Sequence, residues 1–132
     1  MTADRAVYLD SSAIVKLAVQ EKESAALRRY LRRRAPLVVS ALARTEVARA
    51  LLPLGATAVQ RGHDVLTSLE VIRVTDRVLL EAGSLPSEIR SLDAIHLATM
   101  RQLGVSLRRL VTYDKRMSLT ARQFEIATVA PA

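Results

Sequence analysis

Apolar residues follow two rhythms along this chain. Ala6-Val-Tyr-Leu9, Leu37-Val-Val39, Val71-Ile-Arg-Val74 and Leu110-Val-Thr112 are short runs with the length and β-branched content of buried strands. Between them lie longer stretches in which apolar residues return every three or four positions, as on one helix face. The pattern predicts helices over Ser11 to Val19, Glu21 to Arg34, Ala41 to Leu52, Thr57 to Leu69, Arg77 to Ala82 and Ser91 to Leu103. A helical turn from Lys115 to Leu119 and a last strand from Glu125 to Val129 complete it. The punctuation agrees with these limits. Pro36 ends the second helix, Ser40 caps the third, Pro53 and Gly55 stop it, and Gly104 closes the Ser91 helix.

Strands separated by helices predict an α/β fold, a three-layer α/β/α arrangement around a mainly parallel sheet of four to five strands. The 132 residues are expected to form one domain spanning 1–132. Ligands of such sheets gather beyond the carboxyl ends of the strands, so the residues that follow each strand are the first place to look for chemistry.

Half the residues are hydrophobic and the mean hydropathy is +0.16, which excludes disorder throughout. Lys16, Arg44 and Arg49 interrupt the candidate membrane spans, and the first ten residues lack the order of a secretory leader. With no cysteine to form disulfides, the expected location is the cytoplasm. The net charge is +7 and seventeen of the twenty basic residues are Arg, whose planar fork suits phosphate, so a polyanionic partner is indicated. An Arg-rich genome with dispersed charges gives the same bias. Aromatic residues are 3% of the chain, too few for an extended base-stacking platform.

Four acids stand where this fold places chemistry. Asp10 follows the first strand, and Asp114 lies just past Leu110-Val-Thr112. Asp93 sits in the first turn of the Ser91 helix. Helix capping explains Asp10, Asp93 and Asp114 singly. Capping does not explain Glu46, which falls on the helical wheel between Leu42 and Ala50, in the arc of Ala43 and Val47. A carboxylate facing inward needs a cation or a proton: a shared metal ion, or an internal ion pair with Arg90 or Arg116. If the four converge, Mg²⁺ or Mn²⁺ is the natural occupant, because such ions take oxygen ligands and keep several waters. An acidic pocket inside a basic protein describes a metal-dependent phosphodiesterase.

Tyr8-Leu-Asp-Ser-Ser-Ala-Ile-Val-Lys16, Ser40-Ala-Leu-Ala-Arg-Thr-Glu46-Val, Leu92-Asp93-Ala-Ile-His-Leu-Ala98 and Val111-Thr-Tyr-Asp114 resemble, in order, the signature segments of PIN-domain ribonucleases, specifically VapC toxins of bacterial toxin–antitoxin pairs. The resemblance covers nearly the whole chain. It implies a PIN-like fold and a Mg²⁺-dependent endoribonuclease, with Mn²⁺ as a substitute, leaving 5′-phosphate and 3′-hydroxyl ends. Asp10 and Asp93 would then be direct metal ligands, with Glu46 and Asp114 acting through water or completing a second site. Thr112 and Ser11 match hydroxyl positions beside the acids; an ordinary strand threonine and a helix cap are the alternatives. The family further implies RNA as substrate, a VapB-type antitoxin that occludes the groove, and a homodimer.

His96, one turn after Asp93, is read as a packed or hydrogen-bonded neighbour rather than a metal ligand, since Mg²⁺ prefers oxygen. No role is assigned to His63. Arg28, Arg29, Arg32, Arg33 and Arg34 form the densest basic run, read as a solvated helix face, whereas Arg116 is the candidate phosphate contact. No cysteine nucleophile, Gly-rich phosphate loop or Gly-x-Ser-x-Gly elbow occurs. A phosphatase or receiver using Asp10 as nucleophile fits less well, because Ser12 stands where the phosphatase pattern has a second Asp. A noncatalytic RNA- or partner-binding module on the same scaffold is the remaining alternative, but a binder of polyanions gains nothing from clustered acids.

Overall fold

The computed structural model describes residues 5–33 and 36–132. Its strands are β1 (Ala6–Leu9), β2 (Leu37–Ser40), β3 (Glu70–Ile72), β4 (Leu107–Val111) and β5 (Thr128–Val129). They form one sheet in the order β3-β2-β1-β4-β5, every neighbouring pair parallel. The helices are α1 (Ser11–Ala18), α2 (Ser24–Leu31), α3 (Ala43–Leu51), α4 (Ala56–Thr67), α5 (Asp76–Gly83), α6 (Ser91–Leu103) and α7 (Lys115–Gln123).

The alternation of β1 builds both halves of the core. Val7 and Leu9 join a cluster with Ile14, Leu27, Val47 and Leu51 from α1, α2 and α3. Ala6 and Tyr8 face the other way, toward Leu97, Met100, Met117 and Ala121 from α6 and α7. Both sheet faces are therefore covered, giving the expected three layers, and each buried Leu or Val contributes about 1.5–3 kcal/mol. Leu27 and Leu31 belong to this core, while Arg28, Arg29, Arg32 and Arg33 face solvent as read from sequence. Arg34 lies outside the described residues.

Element limits depart from the sequence reading where side chains redirect the backbone. Residues 19–23 turn before α2, because the Ser24 hydroxyl accepts from the Glu21 N–H at 2.9 Å and donates to the Val19 carbonyl at 3.1 Å. Ser40 is the last residue of β2 and its hydroxyl accepts from the Leu42 N–H at 3.1 Å, so α3 starts at Ala43 rather than Ala41. β3 runs from Glu70 to Ile72, ending before Val74. β4 begins at Leu107, since Arg109 pairs with Val7 and its charge concealed the strand. α7 continues past Leu119 to Gln123, burying Met117 and Ala121 four residues apart. β5 is short, because Glu125 at φ 62 turns the chain before it.

The strand order has one consequence for chemistry. The chain builds outward from β1 through β2 to β3, then returns to place β4 on the other side of β1. Connections diverge at the carboxyl ends of β1 and β4, opening a crevice there. The in-register pair Leu9 and Val111 sets the next residues, Asp10 and Thr112, side by side at its floor.

Candidate active site

Asp10, Glu46, Asp93 and Asp114 line one cleft of about 280 Å³ at this crevice, together with Ser11, Arg90, Ser91, Leu92, His96, Arg116 and Met117. Four elements deliver the acids. Asp10 and Asp114 sit at the N-termini of α1 and α7, Glu46 on α3, and Asp93 on α6.

Asp10 is 4% exposed. Its Oδ1 accepts from the Ser12 hydroxyl at 2.6 Å and the Ala13 N–H at 3.2 Å, while Oδ2 accepts from the Thr112 hydroxyl. Thr112 also accepts from the Asp114 N–H at 3.0 Å, tying the two strand ends together. All these donors are neutral, and no ion pair reaches Asp10 among the described residues. Burial pushes its carboxyl above the ordinary value, opposed by the Ser12 and Thr112 hydrogen bonds.

Asp114 caps α7, its Oδ1 accepting from the Arg116 and Met117 N–H groups at 2.9 and 3.2 Å. Capping and facing the cleft are thus not exclusive for Asp10 and Asp114. Asp93 is different. The residue before α6 is Arg90, with no side-chain cap, and Asp93 Oδ2 instead meets Arg116 Nε at 2.9 Å. Arg116 also approaches Asp114 Oδ2 at 3.6 Å, and its bond to Asp93 raises the guanidinium further above its usual range. Among the described residues Glu46 forms no ion pair with Arg90 or Arg116. Its Oε1 lies 2.6 Å from His96 Nε2, so the hydrogen-bonded reading of His96 is the one the structure contains.

Sequence reasoning misses two hydroxyl-bearing partners, Ser12 and Tyr8. Ser12, not Ser11, bonds Asp10, while Ser11 lines the cleft. The available signal was a hydroxyl two residues beyond a capping Asp, close enough to fold back on it. Tyr8, whose hydroxyl lies 2.7 Å from His96 Nδ1, carries no local signal that sets it apart from the rest of its strand. His63 is exposed on α4 and is not among the residues that line the cleft.

The donor chemistry suits a hard divalent cation: carboxylate oxygens from four elements, one of them buried without an ion pair among the described residues. Among the described residues, no three acidic or imidazole side chains close around a common point.

The PIN domain family matches residues 7–123. Ribonuclease VapC46 of Mycobacterium tuberculosis is 59% identical over 128 residues, covering 96% of this chain and 98% of that one. Ribonuclease VapC35 of the same species is 38% identical over 130 residues, covering 95% and 96%. Among solved structures, the M. tuberculosis sarcin-ricin loop cleaving toxin VapC20 superposes with a TM-score of 0.79 at 19% identity, over 95% of this chain and 99% of that one. A toxin–antitoxin complex from Klebsiella pneumoniae gives 0.71 at 19% identity, over 96% and 98%. These two likenesses establish the fold; the closer sequences establish more. Matched over nearly its full length, the chain belongs to the PIN-domain family, among the VapC ribonucleases.

Proposed function

We propose that the protein is a metal-dependent endoribonuclease, the toxin of a toxin–antitoxin pair, and that the cleft at the β1–β4 crevice is its catalytic centre. The carrying observation is that Asp10, Glu46, Asp93 and Asp114, from four elements, line one cleft whose rim holds Arg90 and Arg116. In this reading Asp10 and Asp93 hold Mg²⁺, or Mn²⁺ in its place, with Glu46 and Asp114 contributing through water.

When bound, the ion supplies a hydroxide near neutral pH and neutralises charge on the leaving oxygen. The protein's own residues do the rest. Ser12, Thr112 and the Ala13 N–H fix both Asp10 oxygens, so no reorientation is needed when the ion arrives. Arg90 and the half-exposed Arg116 lie where the RNA phosphate enters, and a guanidinium donates to two phosphate oxygens at once. Water adds to phosphorus as the bond to the 3′ oxygen breaks, leaving 5′-phosphate and 3′-hydroxyl ends. A cognate VapB-type antitoxin covering this cleft, a homodimer and a cytoplasmic site of action belong to the same proposal. No described helix is long and apolar enough to cross a membrane.

The test uses purified protein and a labelled RNA. Cleavage is expected with Mg²⁺ or Mn²⁺, to stop on chelation, and to fall at least about a hundredfold in folded Asp10→Asn and Asp93→Asn. Cleavage that persists in chelator, or in either variant, overturns the proposal. RNA binding without any cleavage under these conditions favours the noncatalytic module.

A further inference from the structure

His96 joins two of the elements that carry the acids, α6 and α3, to the strand β1 that leads into Asp10. The residue is 2% exposed, one turn past Asp93 on α6. On one side Nε2 lies 2.6 Å from Glu46 Oε1 on α3. On the other, Nδ1 lies 2.7 Å from the hydroxyl of Tyr8, two residues before Asp10 on β1. Tyr8 is fully buried and meets the imidazole edge-on, with ring centroids 5.9 Å apart and planes at 86°. The phenol and the imidazole thus brace each other by packing as well as by hydrogen bonding.

The direction of these bonds follows from what each group can do. An ionised carboxylate only accepts, so Nε2 carries the hydrogen and donates to Glu46 Oε1. The other nitrogen of a neutral imidazole is then an acceptor, and the Tyr8 O–H donates to Nδ1. Tyr8 suits this task, because its hydroxyl is held against the imidazole by a side chain that is fully buried. Glu46 Oε1 is committed to His96, and its second oxygen is the one left for the cleft.

We propose that His96, oriented by Tyr8, is a positioning residue that fixes the Glu46 carboxylate for divalent-cation binding. This rests on reading Glu46 as an acid that serves the ion, directly or through water. An indirect partner of this kind is worth tenfold to a hundredfold in metal affinity.

Two measurements on the full chain test it. Long-range ¹H–¹⁵N correlation on metal-free protein is expected to show His96 as the Nε2–H tautomer with Nδ1 bare. Mn²⁺ titration followed by electron paramagnetic resonance, with the metal alone, is expected to show binding weakened about 10- to 100-fold in His96→Ala. In His96→Gln, whose amide N–H reaches the Nε2 position, most of that loss should be recovered. Tyr8→Phe should give a mixture of tautomers and a smaller loss. An Nδ1–H tautomer in the wild type, which leaves no hydrogen on Nε2 for Glu46, overturns the proposal. So does folded His96→Ala that binds Mn²⁺ like the wild type. Should His96→Ala not fold, Tyr8→Phe preserves the core volume, and an unchanged tautomer with unchanged Mn²⁺ affinity overturns the proposal there. Glu46→Gln separates the two readings. Wild-type Mn²⁺ affinity in Glu46→Gln overturns the role of Glu46 and the positioning function with it. A loss in Glu46→Gln with none in His96→Ala or Tyr8→Phe overturns the positioning function alone.

Discussion

Arg116 lies across the mouth of the cleft with its Nε 2.9 Å from Asp93 Oδ2. The guanidinium is half-exposed and also nears Asp114, so without metal it neutralises two of the four acids from inside the chain. A divalent cation competes with it for Asp93. Once displaced, the side chain is available to the phosphate. Arg116→Ala is therefore expected to bind Mn²⁺ a few-fold more tightly while raising KM for RNA. Metal titration beside steady-state cleavage checks both; weaker Mn²⁺ binding would show that Arg116 supports the site instead of competing for it.

Asp10 links the site to stability through pH. Burial raises its carboxyl above the ordinary value, so the folded state holds the proton more tightly than the unfolded chain. The resulting stability is fully present below the unfolded pKa, about 3.9, and is lost as pH rises through the raised value. Asp10→Asn has no such titration. In chelator at pH 7 its Tm should exceed that of the wild type. The gap should close near pH 4. Thermal scans at the two pH values decide, and an equal gap at both refutes the linkage.

Thr112 serves two acids, donating to Asp10 and accepting from the Asp114 N–H at 3.0 Å. Thr112→Val keeps the shape and removes both bonds. It should cost about 1–3 kcal/mol in urea denaturation and lower cleavage by roughly tenfold to a hundredfold. Thr112→Ser, which keeps the hydroxyl, should retain most of the activity. Equal losses in both variants would assign the effect to packing.

Gly62 lets α4 approach α3, the helix that carries Glu46. A Cβ at this position would stand 2.6 Å from Leu51 Cδ1 and 2.8 Å from Val47 Cγ1. The helix-propensity gain of Gly→Ala, about 1 kcal/mol, is then outweighed by overpacking. Gly62→Ala should be less stable by about 1–3 kcal/mol, while cleavage well below its Tm stays near the wild type. A rise in Tm would show that Leu51 and Val47 move aside freely.

Much of the fold was legible because its signals are local. Ala6 to Leu9 reads as a strand from four residues, and Ser91 to Leu103 as a helix from its period and the closing Gly104. Boundaries failed where a side chain acted on backbone it does not adjoin in a simple pattern. Ser24 turning the chain before α2 is one case, and Arg109 pairing within β4 is another. Glu46 stood out because a carboxylate on an apolar helix face is anomalous by itself. Ser12 did not, since a serine near a helix start is ordinary.

Local spacing determined the alternation of strands and helices, and with it the parallel sheet and the placement of acids beyond strand ends and on helix faces. Those features depend on backbone geometry within a few residues, and sequence carries that directly. Only tertiary structure decided that β4 lies beside β1 on the side away from β2, which brings Thr112 against Asp10 and Asp114 to the same crevice. The bonds of Glu46 to His96 and of Arg116 to Asp93 were decided there as well. Each depends on strand order and on how helices pack across the sheet, and those arise from the burial of many side chains at once.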